Sequence, residues 1–186
     1  YLPVYGSDLV WVLDRRTLSV VNAVATPSPE AVCAADGYVF VAGNDGFVSR
    51  LDTVSLAVDC REAVGPNPSG LAAHAGRVYV TVSDGYNSAG GYADGLRVAV
   101  VDAATGKKET DIAVGVNPGQ IVYDDASGDL FVVCRGDYGA IGPKVQRIDL
   151  SQGNAVSDFA EGSLVAADGR GSLLVIGLRA DYATNT

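Results

Sequence analysis

Apolar residues along this chain come in short runs, separated by turns that carry Gly, Asp or Asn. Tyr38-Val39-Phe40-Val41, Val78-Tyr79-Val80 and Leu130-Phe131-Val132-Val133 are typical. Their length and their β-branched and aromatic content predict strands rather than helices. The runs are nearly continuous instead of alternating with polar residues, which predicts strands buried on both faces.

The runs recur in a fixed order. A Pro or small residue opens an apolar strand; a Gly turn, a β-branched strand and a strand ending in Asp follow. One copy begins at Pro29, passes Asp36-Gly37 and ends at Asp52; the next begins at Pro68, passes Ala75-Gly76 and ends at Asp102; a third begins at Pro118, passes Ser127-Gly128 and ends at Asp149. A fourth starts near Glu161, and Leu9-Val10-Trp11-Val12-Leu13-Asp14 reads as the Asp-terminated strand of a copy whose beginning lies outside the chain. The spacings are 39 residues from Pro29 to Pro68, 50 to Pro118 and 43 to Glu161. A unit of ~40–50 residues with four strands is the signature of a propeller blade. The expected fold is therefore all-β, a β-propeller of four-stranded antiparallel blades, forming one partial domain over residues 1–186. Its divisions are the end of one blade at 1–28, blades at 29–67, 68–117 and 118–160, and the start of another at 161–186. Asp14, Asp52, Asp102 and Asp149 are expected to form the turns after the third strand of each blade, by accepting backbone amides two residues on.

Composition narrows the functional classes. Lys+Arg number 13 against Asp+Glu 22, a formal net charge of -9 with no basic cluster, which argues against a nucleic-acid partner. The apolar runs 96–101 and 173–176 fall far short of the roughly 20 residues of a membrane helix. The chain starts at Tyr1 and has no Met, so it is expected to lack the native N-terminus and any signal or anchor there. Cys33, Cys60 and Cys134 lie in strand-like runs and read as small buried hydrophobes. Without a Cys-x-x-Cys pair or a His/Cys cluster, no zinc site is expected, and His74 has no nucleophile at motif spacing. Asp84, Asp94, Asp137 and Asp181 match no calcium-loop pattern. No metal and no catalytic residue is assigned.

Strand parity separates two ends. In an antiparallel meander with strands a to d, the a–b and c–d turns share one end, while the b–c loops and the d-to-a links share the other. The first set is short and plain. The b–c loops are longer and hold Tyr and Arg suited to recognition: Tyr86, Asn87 and Tyr92 in 83–95, Arg135, Asp137 and Tyr138 in 135–142, and Arg179 and Tyr182 in 179–182. With Asn44 these form the candidate ligand-binding set. Asn67 and Asn117 precede Pro and are expected to be extended and structural.

Val78-Tyr79-Val80-Thr81-Val82, Val100-Val101-Asp102-Ala103-Ala104-Thr105-Gly106 and Ile112-Ala113-Val114-Gly115-Val116-Asn117-Pro118 together resemble the bacterial YVTN/YncE-like β-propeller repeat. Val132-Val133-Cys134-Arg135-Gly136-Asp137-Tyr138-Gly139, followed by Pro143-Lys144-Val145, is similar to a segment of surface propeller lipoproteins of gut Bacteroidota. That group includes proteins that capture vitamin B12 and pass it to an outer-membrane transporter. The resemblance implies a seven-bladed ring, of which about four blades are present, and an extracytoplasmic location as an outer-membrane surface lipoprotein. It also implies a cobamide as bound ligand, with no cofactor required. Tyr side chains would pack the ligand's rings, while Arg135, Asn44 and Asn87 would bond its amide groups. Two other classes remain open: a scaffold binding a protein or glycan through the same loops, and a propeller enzyme such as a lactonase or a quinone-dependent dehydrogenase.

Overall fold

The computed structural model describes residues 1–84, 91–92 and 95–177. Five antiparallel sheets follow one another along the chain. The first blade has three strands, β1 (Leu2–Val4), β2 (Leu9–Leu13) and β3 (Val20–Ala25). The second comprises β4 (Pro29–Ala35), β5 (Tyr38–Gly43), β6 (Phe47–Asp52) and β7 (Val58–Ala63). The third comprises β8 (Pro68–His74), β9 (Arg77–Val82), β10 (Arg97–Asp102) and β11 (Lys108–Ala113). The fourth comprises β12 (Pro118–Asp124), β13 (Asp129–Cys134), β14 (Lys144–Asp149) and β15 (Ala155–Glu161). A fifth sheet contains β16 (Leu164–Ala167) and β17 (Leu173–Ile176). Each full blade is a meander in strand order, and the fold is a β-propeller.

The burial of the second strand of each blade explains the continuous apolar runs. Alternate residues of a strand point to opposite faces. In β9, Val78, Val80 and Val82 pack with Phe40 of the second blade. Tyr79, between them, packs with Ile121, Leu130 and Val132 of the fourth. In β13 the same alternation sends Leu130 and Val132 toward the third blade, and Phe131 and Val133 toward Val165 of the fifth. Val39 and Val41 meet Val10 and Val24 of the first blade. A fully buried Val contributes about 1.5–3 kcal/mol, so these interleaved layers dominate stability.

The c–d turns form as the aspartates require. Asp52 accepts from the amides of Val54 (3.0 Å) and Ser55 (2.7 Å) and from the Ser55 hydroxyl (2.9 Å). Asp14, Asp102 and Asp149 make corresponding bonds to Arg16 and Thr17, to Thr105, and to Ser151 and Gln152. At the other end of the blades each inner strand begins with an irregularity after its Pro, at Pro29/Ala31, Pro68/Gly70 and Pro118/Ile121. Gly70 lets the inner strands of blades three and four come together, because a Cβ there would collide with the Gly119 carbonyl. Thr81, fully buried, donates to that same carbonyl at 2.6 Å.

Two expectations need correction. Asn67 and Asn117 are not extended: their φ values are +52° and +58°, and Ser28 before Pro29 is at +44°. Asn tolerates the left-handed region well enough to override the bias that a following Pro imposes. Cys33 and Cys60 are only half-buried, whereas Cys134 is buried, because both belong to strands with a more open side. In the first blade Leu2–Val4 pairs with β2 and precedes the Asp-terminated strand. Among the described residues no helix is long and apolar enough to cross a membrane.

Hydrogen bonds from backbone amides hold the carboxyl groups of Asp14, Asp52 and Asp137 below the ordinary aspartate range, and the Thr105 and Ser151 hydroxyls lead the same effect at Asp102 and Asp149. Depressed folded-state values stabilise the fold above the unfolded value of about 3.9 and withdraw that support as pH falls through the folded values. The urea midpoint should therefore hold between pH 7 and pH 5 and fall below about pH 4. The double variant Asp52→Asn, Asp102→Asn should start lower and lose less on acidification, which equilibrium unfolding at each pH will read.

Candidate functional site

The end carrying the b–c loops is built by a ladder that continues past each Pro. The amides of Asn44, Ser83 and Arg135 donate to the carbonyls of Ser28, Asn67 and Asn117 at 2.9, 3.2 and 2.9 Å. A second rung links Asp84 to Pro66 and Gly136 to Val116. Asn117, buried, adds a side-chain bond to the Gly136 carbonyl at 3.3 Å, and the Asn67 amide bonds the Ser83 hydroxyl. The left-handed residue before each Pro thus anchors the start of the loop that leaves the second strand.

In the fourth blade this anchoring sets Arg135 across the start of the inner strand. A Cβ on Gly119 would run into the Arg135 guanidinium, so the absent side chain is what lets the group lie against β12. Next to it, Gln120 ties the inner strands of blades four and five together, donating to the Val165 carbonyl at 2.7 Å and accepting from its amide at 3.0 Å. Asp137 does not pair with Arg135. Its Oδ1 accepts from the amides of Gly139 and Ile141, both at 2.8 Å, closing the loop on itself, and those bonds hold its carboxyl below the usual range. The closed loop pushes Tyr138 outward, 74% exposed and with φ of +58°. Its ring meets Tyr92 of the third blade's b–c loop, with centroids 6.1 Å apart and planes tilted by 59°.

The structure therefore brings Tyr92 and Tyr138 together across the junction of two blades, lays Arg135 against Gly119 of the fourth, and gives Asp137 the task of shaping the loop. Asn44 lies elsewhere, in the tight loop between β5 and β6. Its amide donates to the Tyr5 hydroxyl at 3.4 Å, while its Oδ1 is buried with no hydrogen-bond partner among the described residues. Tyr86, Asn87, Arg179 and Tyr182 lie outside the described residues.

Sequence reasoning passed over Tyr5, Gly119 and Gln120. Tyr5 sits in the b–c loop of the first blade, and Tyr5-Gly6-Ser7-Asp8 resembles the other loops in composition. The strand before it is only three residues long, too short to signal itself. Among the described residues no three His, Cys, Asp or Glu side chains gather as metal ligands would.

No protein-family model matches the chain, and no curated protein matches it. Solved structures do. It is similar to a Kuenenia stuttgartiensis hydrazine synthase structure at 21% identity and a TM-score of 0.72, over 87% of this chain and 46% of the other. The WD40 domain of Neurospora crassa Pan2 aligns at 13% identity and a TM-score of 0.61, over 86% of this chain and 49% of the other. A structure of BBS1N in complex with ARL6DN aligns at 14% identity and a TM-score of 0.63, over 86% and 50%. The chain spans about half the length of the structures it matches, and at these identities the likeness establishes the propeller fold alone.

The 135–143 loop depends on Gly136, whose φ is +75° and where a Cβ would strike the Ile141 carbonyl. Gly136→Ala should cost about 1–3 kcal/mol through strain and displacement of that backbone. Gly139→Ala meets nothing closer than the Asp137 carboxylate at 3.4 Å and should be near neutral. Thermal unfolding of the two variants side by side measures the difference.

Proposed function

We propose that this protein is a non-catalytic binding propeller whose ligand sits on the b–c loop end, across the junction of the third and fourth blades. The observation that carries this reading is the meeting of Tyr92 and Tyr138 from successive blades, on a loop that also carries a guanidinium laid against Gly119. Two tilted aromatic rings offer apolar area at low entropic cost, and Arg supplies forked donors. Exposed Tyr and Arg on a rigid, glycine-shaped loop are what a large ligand with flat and amide-bearing surfaces needs. A cobamide has that chemistry, and the resemblance of the Val132-to-Gly139 segment to vitamin B12-capturing surface lipoproteins supports it. The same resemblance supports a bacterial outer-membrane surface location and delivery to an outer-membrane transporter.

A second reading has an observation of its own. Tyr138 and Ile141 are exposed at 74% and 46% on one loop, an apolar pair suited to a protein partner. One of the similar propellers is described in complex with ARL6DN, a partner of that protein.

Calorimetric titration of cyanocobalamin separates the two. Saturable binding is expected, and Tyr138→Ala should weaken it by about 1–3 kcal/mol with thermal stability unchanged. Absence of binding heat, or an unaltered affinity in the variant, would overturn the cobamide reading and leave the protein partner as the occupant of this end.

A further inference from the structure

The repeats differ from one another at one position on the opposite end of the blades. Counting two residues back from the turn aspartate gives Val12 in the first blade, Arg50 in the second, Val100 in the third and Arg147 in the fourth. Arg50 stands opposite Phe40, and its guanidinium lies 4.1 Å from the Tyr38 ring centroid. It forks onto Asp59 at 2.9 and 3.0 Å and reaches into the third blade's c–d turn, bonding the Ala103 carbonyl at 3.2 Å and that of Ala104. One long side chain thus fills the space between two blades. In the fourth blade Arg147 turns instead to Asp129 and Asp149.

The third blade has no such filler. Val100 stops short, and a groove of about 410 Å³ opens between β8–β11 and the fourth blade's c–d turn, bordered there by Leu150, Gly153 and Asn154. Small-molecule sites start at about 300 Å³. The same blade places a hydroxyl at the opening: Tyr79 occupies the position of Phe40 and Phe131 in its neighbours, is 4% exposed and lines the groove. That hydroxyl has no hydrogen-bond partner among the described residues, and burial raises its pKa, which keeps it a donor. In the third blade a short side chain, Val100, coincides with a hydroxyl-bearing one, Tyr79, on the same groove.

We infer that this groove binds a neutral polyhydroxylated ligand of monosaccharide size. Its rim carries both signs of charge at close range, with Arg77 Nε donating to Glu109 at 2.6 Å. An anion there would face Glu109 and a cation would face Arg77, whereas ring hydroxyls donate to one and accept from the other. Asn154 and Thr110 add neutral polar groups. Val100, Leu150 and the Tyr79 ring give an apolar floor for the C–H face of a sugar ring. His74, stacked on Tyr123 with centroids 4.0 Å apart and planes 20° from parallel, forms a flat wall at the inner end. The groove lies at the turn end, away from Tyr92 and Tyr138, so its occupancy is independent of the loop-end site.

Titration of methyl α-D-glucoside and methyl β-D-galactoside into isotope-labelled protein, followed through backbone amide shifts, tests this. Saturable shifts are expected for residues 74–79, 109–110 and 150–154 with at least one glycoside. Tyr79→Phe, a residue its neighbouring blades already use, should weaken binding about threefold to tenfold. Val100→Arg should abolish binding and hold or raise the thermal midpoint by restoring the second blade's filler. Shifts that fail to saturate, affinity unchanged in Tyr79→Phe, or tighter binding of agmatine or acetate than of either glycoside would overturn the proposal.

Discussion

Face-to-face packing of one sheet on the next is the constraint from which the rest of this structure follows. A single blade cannot bury its own apolar faces, so each second strand must be apolar on both sides, with Val78, Val80 and Val82 facing one neighbour and Tyr79 the other. Once the faces are committed to packing, polar chemistry is restricted to the two ends of the strands. The same constraint makes the interfaces sensitive to single residues, because whatever one blade omits its neighbour must supply. Arg50 reaching the Ala103 carbonyl and Val100 leaving a groove are two outcomes of that rule at adjacent interfaces.

The ends are shaped by different backbone devices. At the turn end, aspartate side chains satisfy amides and keep the connections short. At the loop end, a left-handed Ser or Asn before each Pro fixes where the following b–c loop starts, and the inner-strand irregularity after the Pro makes room for it. Irregularities of this kind re-aim side chains at the rims of closed sheets. Arg135 lying against Gly119, and Tyr138 pushed out by the Asp137-closed loop, are consequences of that scaffold rather than of loop sequence alone.

Much of this was legible in the sequence because it depends on residue type at fixed spacing. The blade repeat, the turn aspartates and the sorting of loops to one end all follow from Pro, Gly and Asp positions. Other features depend on competition between local preferences. A Pro disfavours the left-handed region in the residue before it, but Asn67 and Asn117 adopt it because each is held by hydrogen bonds to the neighbouring loop. Proximity across blades was also hidden: the pairing of Tyr92 with Tyr138 joins residues 46 positions apart, and nothing in either loop announces the other. The groove beneath Val100 lay between these extremes, since the alternation of Val12, Arg50, Val100 and Arg147 was present in the aligned repeats and acquired meaning once Arg50 was seen to bridge two blades.

Hydrogen–deuterium exchange in the presence and absence of cyanocobalamin tests most directly the claim that the loop end is the ligand face. The account predicts added protection in residues 83–96 and 135–143, with the a–b turns at 36–37 and 75–76 unchanged. Protection concentrated at those turns, or an identical exchange pattern with and without the ligand, would contradict it.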